Sequence, residues 1–311
     1  MSRRTPRLFT AALAVGALLL GGCAEKTSTD TPAASGSSAA SFPVTVGQLT
    51  LNKRPEKIVS LSPTATEMLF AIGAGSQVTA VDDQSNYPPE APKSDLSGFQ
   101  PNAEAIAGKS PDLVVLSDDM NKIVDQLTTL KIPVLLAPAA ATLDDTYQQI
   151  TDLGALTGHP SEASDLTRKM KDDIAALTKD LPQRPKKLTY FYELGPELYT
   201  ATSKTFVGSV YTLVGLVNIA DPSDANGTNG GYPQMSQEVI LKADPDFIFL
   251  ADVQQANQDA ATVKARSGWA GLTAVKEGRV IELDDDIASR WGPRVVDLLR
   301  VIVDATAKVP A

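Results

Sequence analysis

The chain has 311 residues, of which 43% are hydrophobic and 21% charged, and its formal net charge is −9. This composition excludes a disordered or collagen-like chain and is typical of a globular protein with about two domains. The negative charge argues against nucleic acid as a partner. The single cysteine and the single histidine exclude an intramolecular disulfide and argue against zinc sites built from several Cys or His ligands.

The first 22 residues have the form of a lipoprotein signal peptide. Arg3, Arg4 and Arg7 precede an apolar run at residues 8–20 that is short for a membrane-spanning helix. The only cysteine follows in the sequence Leu-Gly-Gly-Cys23, which resembles the bacterial lipobox. We therefore expect Cys23 to carry the lipid that holds the protein on the outer face of the cytoplasmic membrane. The paired arginines leave the Sec and the twin-arginine export routes both open.

Composition divides the rest of the chain into four parts. Residues 24–41 are rich in Ser, Thr, Ala, Gly and Pro, which predicts a flexible linker. We place the lipid anchor and linker at residues 23–42, an N-terminal lobe at 43–142, a helical region between the lobes at 143–182 and a C-terminal lobe at 183–311.

Short apolar segments that alternate with helical patterns predict the fold class. A hairpin is expected at residues 44–51, a helix at 66–73 and a final helix from Arg294. Buried strands are expected at 57–61, 78–81, 112–116, 133–136, 188–192, 247–250 and 280–283. This alternation is typical of parallel sheets covered by helices on both faces, and it predicts two Rossmann-like α/β lobes.

One long helix is predicted between the lobes, at residues 161–181. Its apolar residues recur every three or four positions and form one face, and at 1.5 Å per residue it would be about 30 Å long. Those residues are Ala163, Leu166, Met170, Ile174 and Leu177. Such a helix predicts a rigid connection between two lobes that face each other and hinge little.

The second half of the chain repeats a pattern of the first half. A glutamate, a short helix, a Pro-Asp pair and an apolar strand run from Glu104 to residue 116, and the same series runs from Glu238 to residue 250. Matching positions over such a length indicate an internal duplication. The alternative is that the two segments share only a pattern common to α/β proteins, because Pro-Asp often ends a helix before a buried strand.

Candidate ligand contacts follow the predicted strands, because ligands of open α/β sheets bind beyond the carboxyl ends of the strands. Large aromatic rings in polar loops are hard to explain by a core, and the same loops are rich in aspartate. The candidates are Ser62, Pro63, Gln84, Tyr87, Phe99, Asp118, Tyr199, Tyr232, Asp286, Arg290 and Trp291. For the aspartates the alternative is helix capping, and for Arg290 it is a structural ion pair with one of residues 284–286.

Catalytic motifs do not emerge from the sequence. It has no Gly-x-Ser-x-Gly, no phosphate-binding P-loop and no Gly-x-Gly-x-x-Gly after a strand. We therefore assign no catalytic residue, no metal and no cofactor, and we expect a protein that is not an enzyme. A surface hydrolase that uses cleft carboxylates stays open as an alternative.

Five segments together resemble one protein family over residues 43–307. They are Lys57-Ile-Val-Ser-Leu-Ser-Pro-Thr-Ala-Thr-Glu67, Ser85-Asn-Tyr-Pro-Pro89, Pro111-Asp-Leu-Val-Val-Leu116, Tyr232-Pro-Gln-Met-Ser-Gln-Glu238 and Pro245-Asp-Phe-Ile-Phe-Leu250. The chain resembles the helix-linked, or class III, substrate-binding lipoproteins of ABC importers, which handle cobalamin, ferric siderophores and haem. The resemblance implies a monomer that binds a small molecule and delivers it to a membrane permease and its ATPase.

Within that family the chain is most similar to the cobalamin-binding branch. The shared features are Asn86-Tyr-Pro-Pro, the aromatic Phe99 before Gln, Tyr232-Pro-Gln, and Asp286 with Arg290 ahead of Gly-Pro-Arg294. The resemblance implies that aromatic and polar side chains hold a corrinoid between the lobes. Gln84 and Ser117 stand where the best-known member has aromatics, so a ferric siderophore or haem remains the alternative ligand. The acidic rim favours a neutral or cationic, amide-rich ligand over an anion.

The duplicated glutamates suggest a docking role. In the family, one acidic residue on the outer surface of each lobe contacts arginines of the permease, and Glu104 and Glu238 hold equivalent places here. One carboxylate on each lobe would match a dimeric permease. The alternative is that both are solvated glutamates favoured by the helix dipole.

Overall fold

The computed structural model describes residues 41–310. The predicted signal peptide, Cys23 and nearly all of the predicted linker lie outside these residues. The described chain begins with an antiparallel hairpin of β1 (Val44–Val46) and β2 (Leu49–Leu51). Gly47 in its turn has a φ of +56°, a conformation that glycine adopts without steric cost. The predicted hairpin is confirmed.

The N-terminal lobe contains a four-stranded parallel sheet. Its strands are β3 (Ile58–Leu61), β4 (Val78–Val81), β5 (Leu113–Leu116) and β6 (Val134–Leu136), in the order β4-β3-β5-β6. Helices α1 (Pro63–Ala71), α2 (Ala103–Gly108) and α3 (Ile123–Thr129) accompany the sheet. Helix α1 begins three residues before its predicted start, because Ser62 caps it and proline suits the first helical position.

The region between the lobes contains two helices, one more than was predicted. Helix α4 (Leu143–Thr157) packs on β1 and α1, and α5 (Pro160–Thr178) corresponds to the predicted long helix. Gly158 ends α4 with a φ of +80°, and α5 turns back along α4. A Cβ on Gly154 would lie only 2.4 Å from the Cβ of Ala163, so glycine permits the close approach of the two helices.

The C-terminal lobe repeats the sheet of the first lobe. Its parallel strands are β7 (Thr189–Glu193), β8 (Val217–Asn218), β9 (Phe247–Leu250) and β10 (Val280–Glu282), in the order β8-β7-β9-β10. In each sheet, therefore, the first strand lies between the second and the third, and the fourth is at an edge. The common order supports the predicted duplication.

Seven helices belong to the C-terminal lobe. They are α6 (Phe206–Leu213), α7 (Gln237–Ala243), α8 (Val253–Ala256), α9 (Ala260–Ala265), α10 (Thr273–Lys276), α11 (Asp285–Ser289) and α12 (Val295–Ala307). Helix α12 packs on α5, which attaches that helix to the C-terminal lobe. The predicted class of two α/β lobes joined through a long helix is confirmed. Among residues 41–310, no helix combines the length and apolar character that a membrane span needs.

Candidate ligand-binding cleft

The segment between α11 and α12 reaches from the C-terminal lobe onto the N-terminal lobe. The hydroxyl of Thr146 on α4 donates to the backbone carbonyl of Trp291 at 2.9 Å. The indole Nε1 of Trp291 donates to Oε1 of Gln149, also on α4, at 3.1 Å. Gly292 lies beside Thr64 and Glu67 of α1, where even a Cβ would be only 3.5 Å from each side chain. These contacts place the residues around Trp291 at the inner end of the space between the lobes.

A group of four charged side chains, buried at Glu67 and Arg290 and partly exposed at Asp286, lies at this point, and we call it the interlobe ion cluster. It consists of Glu67, Asp286, Arg290 and Arg294. The side chain of Glu67 is only 1% exposed, and its Oε1 accepts hydrogen bonds from Arg290 Nη1 at 2.7 Å and Arg294 Nη2 at 2.6 Å. Its Oε2 accepts from Arg294 Nε at 2.9 Å. The contact joins residues more than 220 positions apart and belongs to both lobes.

Arg290 extends the interlobe ion cluster to the loop after β4. Its Nη2 donates to the carbonyl of Gln84 at 3.0 Å, to Oδ1 of Asn86 at 2.9 Å and to Oδ1 of Asp286 at 2.6 Å. Asn86 in turn donates to Oδ2 of Asp286 at 2.7 Å. The ion pair anticipated for Arg290 with one of residues 284–286 is thus present, with Asp286. Two arginines face two carboxylates, so the cluster brings no net positive charge to the cleft.

Four aromatic side chains are exposed in the loops. Among the aromatic residues in 41–310, only Tyr87, Phe99, Tyr199 and Tyr232 are exposed, by 43%, 70%, 48% and 50%. All four were predicted as ligand contacts because they stand in polar loops. Their exposure leaves the four rings accessible to a ligand. Their contact with a ligand stays a prediction.

Local packing explains where these rings stand. The guanidinium of Arg294 lies over the ring of Tyr87, with its Cζ 4.1 Å from the ring centre. Phe99 follows Gly98, which approaches the carboxyl end of β3 so closely that a Cβ there would be 2.9 Å from the Leu61 carbonyl. Tyr199 pairs with Gln234 in an isolated antiparallel bridge, which holds the loop of Tyr199 beside the loop of Tyr232.

A small, mainly apolar cavity of about 130 Å³ lies between the lobes. Ala139 and Ala140 line it from the N-terminal lobe, and Phe206, Tyr232 and Trp291 line it from the C-terminal lobe. Pockets that enclose a small ligand usually measure about 300–1,000 Å³, so a large ligand would rest on the rim above this cavity. A cavity of about 320 Å³, lined by residues such as Arg184 and Leu188, lies at the amino ends of β7 and β8 and contains none of the predicted contacts.

The remaining candidates have different surroundings. Ser62 is buried, and its hydroxyl accepts from the backbone N–H of Ala65, so its side chain caps α1. Pro63 is the first residue of that helix. Gln84 and Asp118 are exposed. The structure therefore brings Gln84, Tyr87, Tyr232, Asp286, Arg290 and Trp291 around the interlobe region, while Ser62 has a structural contact.

Sequence reasoning did not predict the role of Glu67. A charged residue inside the apolar series Ala65 to Phe70 is an unusual feature, and it was the available signal. Asn86 and Arg294 belong to the motifs that carry the family resemblance, but no local pattern assigns Asn86 to Arg290 or Arg294 to Glu67. Gln149 was missed because α4 was not predicted.

The C-terminal lobe has a second buried acidic group under its strand ends. Glu193 at the end of β7 is paired with Arg266 through bonds of 2.7 and 2.5 Å. Asp252 follows β9 and is 2% exposed, and within residues 41–310 neither of its carboxylate oxygens has a hydrogen-bond partner. Burial, followed by the charge of Glu193, raises the pKa of Asp252 to about 7. Oδ2 of Asp285 accepts from the backbone N–H groups of Gln254 and Gln255.

Across the described residues, no three His, Cys, Asp or Glu side chains are grouped so as to hold a metal ion.

Glu104 and Glu238 hold matching exposed positions in the two lobes. Each is the second residue of its helix, α2 or α7, and each is exposed. Asn102 and Ser236 cap the two helices through their side chains. This geometry suits both docking on a partner and stabilisation of a helix N-terminus, so the docking role stays a prediction.

The sequence is similar to substrate-binding proteins of transport systems. The family model described as periplasmic binding protein matches residues 58–287. The uncharacterised ABC transporter substrate-binding lipoprotein YvrC of Bacillus subtilis is 31% identical over 92% of this chain and 92% of its own length. A cobalamin-binding protein of Halobacterium salinarum is 33% identical over 86% of this chain and 75% of its own length. These relatives are binding proteins and not enzymes.

Solved structures agree with the sequence comparison. The periplasmic vitamin B12 binding protein BtuF of Vibrio cholerae has a TM-score of 0.67 and 27% identity, covering 81% of this chain and 97% of that structure. A possible iron-binding (periplasmic solute-binding) protein from Staphylococcus epidermidis has a TM-score of 0.70 and 27% identity, covering 82% of this chain and 100% of that structure. With two equivalent α/β lobes around a cleft and a family match over most of its length, the chain belongs to the periplasmic binding protein family.

Proposed function

We propose that this protein captures a corrinoid between its two lobes and delivers it to the permease of an ABC importer. The observation that carries the proposal is the neutral interlobe ion cluster. Arg290 and Arg294 are both paired with carboxylates, so they offer no free positive charge to a ligand. An anionic chelate would gain little here, while a neutral ligand would meet aromatic rings and polar groups.

The exposed rim supports the same ligand class. Tyr87 and Phe99 on one lobe and Tyr199 and Tyr232 on the other offer large rings for the flat apolar parts of a ligand. Gln84 and Asp118 are exposed in neighbouring loops and can accept hydrogen bonds from amide groups. A corrinoid has both features, because its macrocycle carries several amide side chains. The similarity to cobalamin-binding relatives also supports this choice.

A ferric siderophore or haem is the second candidate ligand. The structural similarity to the possible iron-binding protein from S. epidermidis favours it. The same two-lobed cleft would serve either ligand, so the role in import does not depend on the choice between them. Turnover is not required in either case, since the proposed role is binding and release.

The proposed cellular setting is an extracytoplasmic membrane surface. Cys23 would carry the lipid, and residues 24–41 would let the lobes move between free ligand and permease. Glu104 and Glu238 would dock on the permease, one from each lobe. The protein would act as a monomer, with the permease and its ATPase as partners.

The experiment is a titration of the protein from Ala24 onwards with cyanocobalamin, followed by calorimetry and by tryptophan fluorescence, to which Trp269 and Trp291 both contribute. Ferric hydroxamate, ferric catecholate and haem serve as comparison ligands. We expect saturable one-to-one binding of cyanocobalamin that is weakened by Tyr232→Ala. The matched control is Leu130→Ala, because Leu130 is an exposed apolar side chain that precedes β6 at the opposite end of its sheet.

Each outcome has a distinct meaning. Binding of an iron chelate without binding of cyanocobalamin would replace the ligand and keep the role in import. If no ligand binds, the proposal for the cleft is wrong. Mass spectrometry of the recovered corrinoid tests the absence of turnover, and an altered ligand would support the hydrolase alternative.

A further inference from the structure

Glu67 connects the two lobes through a side chain that is almost entirely buried. It stands on α1 of the N-terminal lobe, yet both of its carboxylate oxygens accept hydrogen bonds from arginines of the C-terminal lobe. The side chains of Arg290 and Arg294 are 8% and 16% exposed. Charge-assisted and bidentate hydrogen bonds of this kind have strict geometry.

The interlobe ion cluster reaches both rims of the cleft. Arg294 supports the ring of Tyr87 on the N-terminal rim from 4.1 Å. Arg290 holds the carbonyl of Gln84 and the amide of Asn86 in the same loop, and it also pairs with Asp286 on the C-terminal side. A change in the position of Glu67 relative to the arginines would therefore move both rims.

Burial makes these bonds hard to exchange for bonds to water. Removing a carboxylate from the cluster would leave buried guanidinium charge without its counter-charge, which proteins tolerate poorly. Separating the lobes at this point would break three hydrogen bonds to Glu67 together. Helix α4 also contacts this segment through Trp291, by the bonds from Thr146 and to Gln149. The three bonds to Glu67 add a direct link from α1 to the C-terminal lobe.

We propose that Glu67 is a positioning residue that fixes the separation of the two cleft rims for ligand capture. The part that concerns capture rests on the proposed function, whereas the part that concerns rim separation does not. Glu67 touches no ligand in this proposal. It acts through Arg294 on Tyr87 and through Arg290 on the loop after β4.

The first test measures the distance between the lobes. The protein from Ala24 onwards has no cysteine, because Cys23 is the only one in the chain. Lys109→Cys and Ala243→Cys introduce spin labels at two exposed positions that are equivalent under the duplication. Double electron–electron resonance then gives the distance distribution. We expect Glu67→Gln to broaden or shift it, while the control Asp165→Asn, which removes an exposed pair with Arg168, leaves it unchanged.

Variants of Arg294 allow the same distance measurement if the Glu67→Gln protein does not fold. Arg294→Met removes two of the three hydrogen bonds to Glu67 and leaves the bond from Arg290, so we expect it to broaden the distribution as well. Arg294→Lys keeps the charge but lacks the planar fork, so we expect an intermediate width. A distribution as narrow as that of the unmodified protein in folded Glu67→Gln or Arg294→Met overturns the proposal.

The second test measures the affinity of the variants for cyanocobalamin. Because cyanocobalamin has no net charge, the loss of charge at Glu67 has little direct effect on that affinity. If the variant occupies the capture-ready separation about one tenth of the time, affinity falls about tenfold. A broadened distance distribution with unchanged affinity overturns the role in capture. If the unmodified protein binds no corrinoid, the proposed function fails, and the distance measurement still decides whether Glu67 sets the rim separation.

Discussion

The carboxylates of Asp112 and Asp246 accept equivalent backbone hydrogen bonds in the two lobes. Oδ2 of Asp112 accepts from the backbone N–H groups of Glu56 and Lys57, at 3.0 and 3.2 Å, just before β3. Oδ2 of Asp246 accepts from the backbone N–H of Thr189 at 2.8 Å, at the start of β7. Each carboxylate thus ties the start of the third strand of its sheet to the start of the first. The predicted Pro-Asp repeat therefore reflects a shared contact as well as a shared sequence.

Replacing Asp112 tests this contact in solution. The backbone N–H of Glu56, together with the charge of Lys53, lowers the pKa of Asp112 below its ordinary value of 3.8. Because the folded protein prefers the ionised carboxylate, this stabilisation is present above about pH 4 and is lost as the pH falls through the lowered pKa. We expect Asp112→Asn to reduce the free energy of unfolding at neutral pH by about 1 kcal/mol. Urea denaturation measures the change, and Asp180→Asn at an exposed pair is the control. An equal loss in the control would contradict the assignment.

The duplication also predicts the behaviour of Glu104 and Glu238. If they dock on the permease, the double variant Glu104→Ala with Glu238→Ala should abolish corrinoid uptake by whole cells while ligand affinity in solution stays the same. The physical reason is that each carboxylate offers one charged contact to a basic surface of the partner. Glu277→Ala removes an exposed carboxylate elsewhere and serves as the control. Normal uptake by the double variant, or a loss of affinity, counts against docking.

The buried charge of Glu67 has a consequence for stability. Glu67→Gln leaves Arg294 without its carboxylate partner in a site where water has little access. Breaking a buried ion pair in this way costs about 3 kcal/mol or more. We expect a clear fall in the urea midpoint, whereas Asp165→Asn at an exposed pair should change the free energy of unfolding by less than about 1 kcal/mol. Equal midpoints for the two variants would show that water already screens the interlobe ion cluster.

For Asp252 we expect the free energy of unfolding to depend on pH with a sign opposite to that expected for Asp112. Its pKa is raised by burial, and further by Glu193 and Asp285, to about 7 from an ordinary 3.8, although Arg266 lowers it. Between those values the folded protein holds a proton that the unfolded chain has released. The free energy of unfolding therefore falls as the pH rises through this range and levels off above it.

Asp252→Asn isolates this effect, because asparagine is neutral at every pH. We expect the variant to be more stable than the unmodified protein at about pH 8, with a difference that shrinks towards about pH 5. Urea midpoints at several pH values give the comparison, and Asp304→Asn on the exposed side of α12 is the control. A constant difference across the range would mean that Asp252 does not titrate there.

Much of the fold could be predicted from local sequence. The bounds of β4 and β9 agree with their predictions, because buried parallel strands are short apolar runs with clear boundaries. Strand β8 has two residues and is too short to show a period. Helix α4 was not predicted, so the region between the lobes has two helices where the pattern indicated one.

The sequence alone determined the two lobes, their duplication and the four loop aromatics, because each depends on residues that are neighbours along the chain. Only the tertiary structure decided the partners of Arg290 and Arg294. Glu67 lies 223 and 227 positions away from them, and no local period records which distant charge a buried guanidinium meets. That choice depends on how the two lobes face each other, and it pairs both guanidinium groups with carboxylates.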